Sequence, residues 1–298
     1  MDNYLIYTDS AADMPAHIYS DYDIRIIPMD YIVNGEIRTF YTDSPDHDKE
    51  CDALFEAQKN NADVSTTQIT PYTYIEKWTP ELEAGNDILY ICFSSGISAT
   101  YDNALNAANQ LSEDFPDRKI IVIDSLSATQ GLGIFVTAAL MNRAGGMSID
   151  DNAAWLTENR KYVCHRFMVG DLHYLKKGGR ISAASATIGS MLSIKPLLII
   201  NDEGKLEVYD KPRGEKMAIK RLVDATKKDL RVDGVPKMIY VGHTSRYKDV
   251  EEVAKQVRNA VDPDVLVEIC NLSPIIGAHV GPSFFSICSW GFHRKEPK

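Results

Sequence analysis

The sequence predicts an α/β fold in two parts: an N-terminal, mostly parallel sheet flanked by helices, followed by a C-terminal α+β part. Three observations predict it. Short runs rich in Ile, Val, Leu and Tyr alternate with amphipathic stretches of helical length, the pattern that covers both faces of a parallel sheet with helices. The chain has 298 residues, enough for two domains at roughly 150 residues each. Its 44% apolar and 25% charged residues suit a globular chain with a sizeable core.

Taken in order, the first strands are Leu5–Thr8 and Ile24–Ile27. Met29–Val33 and Glu36–Tyr41 then flank Asn34-Gly35, a hairpin signal added to the parallel core. Helices at Asp48–Lys59 and Tyr72–Leu82 lead to a strand at Ile88–Phe93, a helix at Ala99–Leu111 and a strand at Ile120–Ile123. A long apolar helix, Thr129–Ala144, ends at Gly145-Gly146, and another covers Ile149–Tyr162. The domain boundary is expected near residue 160, giving domains 1–160 and 161–298. Beyond it come a strand at Phe167–Val169, a helix at Ala183–Leu192, and strands Pro196–Ile200 and Leu206–Tyr209 about an Asp-Glu-Gly turn. The rest reads as a helix Arg213–Leu230, a strand Met238–Val241, a helix Lys248–Val261, and strands Val265–Ile269 and Phe284–Ser289.

Composition removes several function classes. The net charge of −10 argues against nucleic acid as a partner. Five scattered cysteines without a C-x-x-C pair give neither a disulfide framework nor a structural zinc site, and they suit a reducing cytoplasm. The N-terminus carries Asp2 and a four-residue apolar stretch, which reads as a strand and not as a secretory signal. The apolar run Gly131–Met141 is too short to span a bilayer. No histidine spacing suggests a metal, there is no phosphate-binding loop, and Gly131-Leu132-Gly133 lacks the third glycine of a dinucleotide fingerprint. No cofactor is expected.

In open α/β sheets ligands sit beyond the carboxyl ends of strands, so polar residues there are the candidates. Thr8-Asp9-Ser10 follows the first strand, but Ala11 stands where an aspartyl phosphatase needs a second acid, which leaves a cap or turn. Ser65-Thr66-Thr67-Gln68 precedes a helix beginning at Pro71, where hydroxyls serve as caps or bind an anion. Ser94-Ser95-Gly96-Ile97-Ser98-Ala99-Thr100 has more hydroxyls than one cap needs. It nearly matches a nucleophile elbow, with Ser98, Asp124 and His279 in the chain order of a hydrolase triad, yet Thr100 replaces the last glycine. Lys176-Lys177-Gly178-Gly179-Arg180 and Gly277-Ala278-His279-Val280-Gly281-Pro282 read as a turn and a core histidine, or as a source of positive charge. In the second reading, Arg180 and His279 face an anion held by Thr66 and Ser98.

Together these segments resemble the DegV family, which includes the FakB-type fatty-acid-binding subunits of bacterial fatty acid kinase. T-D-S, S-T-T-Q, S-S-G-I-S-A-T, D-S-L-S-A-T-Q-G-L-G, L-K-K-G-G-R-I-S, I-K-P-L-L, K-P-R-G and G-A-H-V-G-P stand in family order from Thr8 to Pro282. The resemblance implies one long-chain fatty acid in an apolar tunnel between two domains. Its carboxylate would be bound by Thr66, by Ser95 or Ser98, and by Arg180 and His279. It further implies that the protein is not itself an enzyme, and that a separate kinase subunit docks and phosphorylates the bound carboxylate. Ile69, Ala99 and Ser283 depart from the usual motifs, and the first two leave the choice between Ser95 and Ser98 open.

The physics of such a ligand is consistent with this. Burying about fifteen methylenes at ~0.8 kcal/mol each contributes on the order of 12 kcal/mol before immobilisation costs. A carboxylate drawn in with them needs donors or a cation. Ala183–Ser193 and Phe284–Trp290 are the expected tunnel walls, against the plainer reading that they are core. Arg213, Lys216, Lys220, Arg221, Lys227, Lys228 and Arg231 form a basic run on an acidic chain, and Arg213 and Lys216 are the expected docking residues for a kinase subunit. Transient contact with a membrane surface would serve lipid exchange. The competing readings are a serine hydrolase acting through Ser98 and a carrier of another amphiphile without a kinase partner.

Overall fold

The computed structural model describes residues 4–182, 194–245 and 247–295. In chain order the first elements are β1 (Tyr4–Asp9), α1 (Ala16–Asp21), β2 (Ile24–Ile27), β3 (Met29–Val33), β4 (Glu36–Phe40), α2 (His47–Lys59), β5 (Val64–Thr66) and α3 (Pro71–Glu83). Next come β6 (Asp87–Cys92), α4 (Thr100–Asp114), β7 (Ile120–Asp124), α5 (Thr129–Ala144), α6 (Ile149–Asn159), β8 (Val163–Val169) and α7 (His173–Lys177). The remainder is β9 (Leu197–Ile200), β10 (Leu206–Asp210), α8 (Glu215–Asp229), β11 (Met238–His243), α9 (Tyr247–Ala260), β12 (Leu266–Asn271), α10 (Pro274–Val280) and β13 (Phe284–Trp290).

Among the described residues these strands form three sheets. The first is wholly parallel, in the order β2-β1-β6-β7. Every residue of β1 is buried, as are five of the six in β6, which is why both read as continuous apolar runs and not as alternation. The second, β4-β3-β5, is antiparallel and turns at Asn34 (φ 51) and Gly35 (φ 84), the paired positive φ values of the tight Asn-Gly hairpin. The third has six strands, β10-β9-β8-β13-β11-β12, parallel only between β11 and β12.

The α/β expectation holds, with local differences. β5, α1, α7 and α10 were not read from the sequence, because three to seven residues are too few to display a period. The helix expected from Arg213 starts at Glu215, since Gly214 takes φ 78 at its N-cap. The stretch Ile149–Tyr162 is helical to Asn159 and tightens into a 3-10 turn over Arg160–Tyr162. The helix expected at Ala183–Leu192 lies outside the described residues.

The seam of the molecule is α5. Thr129 through Leu140 are all buried, and the helix packs on β1 to one side and on β8, β11 and β13 to the other. A helix apolar all round must be covered all round, and two sheets together with α6 do it here. Among the described residues no helix is long and apolar enough to cross a membrane. Close approach depends on its glycines: a Cβ on Gly131 would lie 2.0 Å from His165 Nε2, and one on Gly133 would lie 2.3 Å from the Asp13 carbonyl oxygen. Thr129 opens the helix at φ 49, a strained conformation for a β-branched residue. Its hydroxyl donates to Asp13 Oδ2 at 2.5 Å and its amide to the Ala11 carbonyl at 2.9 Å, which over-determines the position.

Gly131→Ala should therefore force His165 aside and cost about 1–3 kcal/mol of unfolding free energy. The measurement is the urea midpoint at unchanged slope. A midpoint equal to that of the parent chain would show that the helix is not pinned there.

Candidate functional site

Four of the sequence-selected side chains reach one cavity, each by a different local device. Thr66 ends β5, whose pairing with β3 sets Thr66 opposite Tyr31. His279 is the penultimate residue of α10, a helix with Pro274 in its first turn and packed on α2, α7, β3 and β5. The Ser273 amide before α10 is held at 3.0 Å by Asp13 Oδ1, and Gln58 of α2 donates to the Gly277 carbonyl at 3.0 Å. His279 Nε2 meets Thr66 Oγ1 at 2.9 Å.

Arg180 is delivered by the end of α7. The Gly179 amide donates to Lys176 O and the Arg180 amide to Leu175 O, with Gly179 at φ 73. That is a Schellman cap, and it explains the Lys-Gly-Gly-Arg sequence: a left-handed residue turns the chain sharply at the helix end. The other glycine, Gly178, makes room for the imidazole, because a Cβ there would sit 2.4 Å from His279 Nδ1. Arg180 Nε donates to Ile97 O at 3.3 Å and Nη1 to Gly178 O at 2.5 Å. Among the described residues no carboxylate pairs with it. Ser98 comes from the loop before α4, where its amide bonds Ser94 O and its hydroxyl meets Thr100 Oγ1 at 2.8 Å.

Thr66, Ser98, Arg180 and His279 all line a cavity of about 260 Å³. Most of its remaining wall is apolar, including Met29, Phe93, Phe167, Ile275, Ile276 and Phe284. Phe284, Ser286 and Cys288 share one face of β13 and all line it. At about 3.3 Å per residue the cavity runs about 13 Å along that strand, away from the α10 end where His279 stands.

Ser95 is placed elsewhere. Its hydroxyl donates to Asp124 Oδ2 at 2.6 Å and its amide to Oδ1 at 3.2 Å, and it is absent from the cavity wall. Asp124 also accepts from the Leu126 amide at 3.1 Å. With Asp124 facing Ser95 and His279 facing Thr66, the Ser98–His279–Asp124 relay expected for a hydrolase does not form. Arg213 and Lys216 are exposed and lie outside the cavity wall. The basic run there is partly neutralised, since Arg221 pairs with Asp210 and Lys220 with Asp224. Of the two expected tunnel walls, β13 contributes side chains, while Ala183–Ser193 lies outside the described residues.

Burial governs the electrostatics. His279 is pushed down to about 4, first by desolvation and then by the positive charge of Arg180, so at neutral pH it is an uncharged imidazole. Burial also lowers Arg180, and a guanidinium keeps its proton regardless. The cavity wall thus carries one full positive charge, from Arg180, beside the neutral imidazole of His279 and the hydroxyls of Thr66 and Ser98, with His165, also held neutral, further along it. Sequence reasoning missed Asp13, which holds both the Thr129 hydroxyl on the cavity wall and the α10 N-terminus. Nothing in the spacing of residues 13, 129 and 273 could have revealed it. Asp9, read as a cap or turn, is fully buried and accepts from Tyr90 OH and the Phe93 and Ala11 amides. Desolvation raises both acids to about 6.

A family model described as "Uncharacterised protein, DegV family" matches residues 3–290. A DegV domain-containing protein of Clostridium perfringens is 34% identical over 298 residues, covering 100% of both chains. Among solved structures, a DegV family protein from Thermus thermophilus, described by its fatty acid binding, superposes with a TM-score of 0.84 at 26% identity, covering 97% of this chain and 100% of its own. DegV from Bacillus subtilis, described as a fatty acid binding protein, gives a TM-score of 0.80 at 27% identity, covering 98% and 100%.

The lowered His279 has a measurable consequence. Between its unfolded value of 6.5 and its folded value of about 4 the unfolded chain binds the proton first. Its contribution to stability is complete above about pH 6.5 and is lost as the pH falls toward 4. His165, at about 3, and His243, at about 4, act in the same sense, while Asp9 and Asp13 act in the opposite one. The difference in unfolding free energy between the parent chain and His279→Gln should therefore shrink on acidification from about pH 7 to pH 4. A difference independent of pH would mean that the folded imidazole is not held neutral.

Proposed function

The chain belongs to the DegV family, and on that footing we propose that it binds one long-chain fatty acid in the cavity, with the carboxylate against Thr66, Ser98, Arg180 and His279. The observation that carries the reading is the convergence of these four polar side chains, from segments far apart in the chain, on one space whose wall is mostly apolar. A monoanionic headgroup finds a single cation in Arg180, so the charges balance without a second buried ion. The neutral imidazole and the hydroxyls complete its hydrogen bonds, and the apolar wall along β13 takes the tail.

In the same reading, residues 1–160 and 161–298 are the two domains and the cavity is the tunnel at their junction. The protein performs no chemistry of its own. It works in the cytoplasm, exchanges lipid in brief membrane encounters, and presents the carboxylate to a separate fatty acid kinase subunit that docks around Arg213 and Lys216. The support for that docking place is the exposure of both residues on an acidic chain.

Organic extraction of the purified protein followed by mass spectrometry should recover an acyl acid. Recovery of none, with no uptake of hexadecanoic acid by the stripped protein, overturns the proposal; recovery of a different amphiphile replaces the ligand. Arg180→Leu should weaken hexadecanoic acid binding about 10–100-fold, and Thr66→Val or Ser98→Ala about 2–10-fold each. Ser95→Ala should leave the affinity within about twofold, because its hydroxyl serves Asp124. Arg213→Glu or Lys216→Glu should slow phosphorylation by the kinase subunit and leave lipid affinity intact; a loss of affinity in either would move the docking surface elsewhere.

A further inference from the structure

The cavity is not apolar along its whole length. On β13 its inward face runs Phe284, Ser286 and Cys288, and β8 faces it with Phe167 and His165. The ladder sets Ser286 opposite Phe167 and Cys288 opposite His165, so the imidazole stands at the far end of that run, about 13 Å from Phe284 at ~3.3 Å per residue. The start of α5 closes this part, since Ala128 and Thr129 both line the cavity and Ala128 meets the imidazole. A saturated tail makes no use of a hydroxyl or an imidazole.

His165 is 1% exposed and only half satisfied. Its Nε2 lies 3.3 Å from the Ala128 amide and 3.2 Å from the Ala128 carbonyl oxygen, while Nδ1 is buried and has no hydrogen-bond partner among the described residues. The Val163 main chain is near enough to bear on the ring without completing that bond. If Nε2 accepts from the Ala128 amide, Nδ1 carries the proton and needs an acceptor; if Nε2 donates to the carbonyl, Nδ1 needs a donor. A hydroxyl answers both cases, a carbonyl only the first. Burial pushes His165 down to about 3, so at neutral pH the ring is uncharged and does not compete with Arg180 for a carboxylate. The Ser286 hydroxyl donates to Gln130 Oε1 at 2.8 Å and keeps its lone pairs for another contact.

We propose that the cavity takes an acyl chain carrying a hydroxyl near its middle, with that hydroxyl hydrogen-bonded to His165 Nδ1 and with Ser286 one inward position away. This rests on the fatty-acid reading above and narrows it to mid-chain hydroxy acids. An extended polymethylene chain advances a little over an ångström per carbon, so with the carboxylate at Arg180 and His279 a run of about 13 Å brings about the tenth carbon to the imidazole. In a wholly apolar tunnel the same hydroxyl would lose its water without gaining a partner and would weaken binding roughly tenfold or more. Here it gives an unpaired buried nitrogen its missing hydrogen bond, and the burial of both groups is offset.

The test is calorimetric titration of the full, lipid-stripped chain with octadecanoic acid and with octadecanoic acids hydroxylated at the second, tenth or last carbon. The parent chain should bind the tenth-carbon hydroxy acid about three- to tenfold more tightly than the unsubstituted acid, and the other two isomers less tightly than the tenth-carbon one. This series on the parent chain requires no variant to fold. His165→Leu should lower the ratio of tenth-carbon to unsubstituted affinity about tenfold, and Ser286→Ala about two- to threefold. A tenth-carbon affinity equal to or below that of octadecanoic acid, the result expected if a water molecule serves Nδ1, overturns the inference and leaves the fatty-acid reading standing. So does a preference that survives His165→Leu, or one that is strongest for the second- or last-carbon isomer. Binding of none of these acids by the parent chain removes the fatty-acid reading itself.

Discussion

An arginine at the edge of an apolar cavity, hydrogen-bonded to main-chain oxygens and paired with no described carboxylate, is the constraint on which the site depends. Half-buried positive charge without a described counter-ion is costly, and the Ile97 and Gly178 carbonyl oxygens offset part of that cost, while a Schellman cap sets the main chain at Arg180. Burial first, and then the same charge, keeps its neighbour His279 uncharged. Among the described residues of the cavity wall Arg180 is the one cation, set among neutral side chains, and an arginine paired with a carboxylate would have no charge left to offer.

The placement of that pair follows from long-range packing. α10 carries His279, and it is fixed from both ends: Asp13 holds the amide at its start, while Gln58 grips its carbonyls near the end. Gly277 allows α10 to rest on α2 so closely that a Cβ would lie 2.6 Å from the Phe55 ring. Asp13 also receives the hydroxyl of strained Thr129, so the start of α5, the cavity wall and the helix bearing the imidazole share one buried carboxyl. Such networks are rigid when satisfied, which is what a preformed polar end in an apolar space needs.

Much of this was legible in the chain. Continuous apolar runs announced the parallel strands, because burial on both faces leaves no alternation, and Asn34-Gly35 announced the hairpin, because its two positive φ values select those residues. Thr66, Ser98, Arg180 and His279 were each visible as polar residues at element ends. The short elements that carry three of them were not: β5, α7 and α10 owe their form to neighbours, and so few residues show no period of their own. Asp13 was invisible for a related reason, since its partners lie 116 and 260 positions away.

The amino-acid sequence by itself determined the α/β class, the order of the longer strands and helices, and the polar residue types that stand at the element ends. Those follow from local propensity and from the period of apolar residues, which any stretch of chain carries within itself. Only the tertiary structure set the two serines apart, turning Ser95 toward Asp124 and leaving Ser98 on the cavity wall. It alone set the imidazole of His279 against Thr66 and left Asp124 out of reach of a hydrolytic relay. The reason is physical: side-chain direction and charge state depend on which distant groups share the same low-dielectric space, and that is a property of packing and not of spacing along the chain.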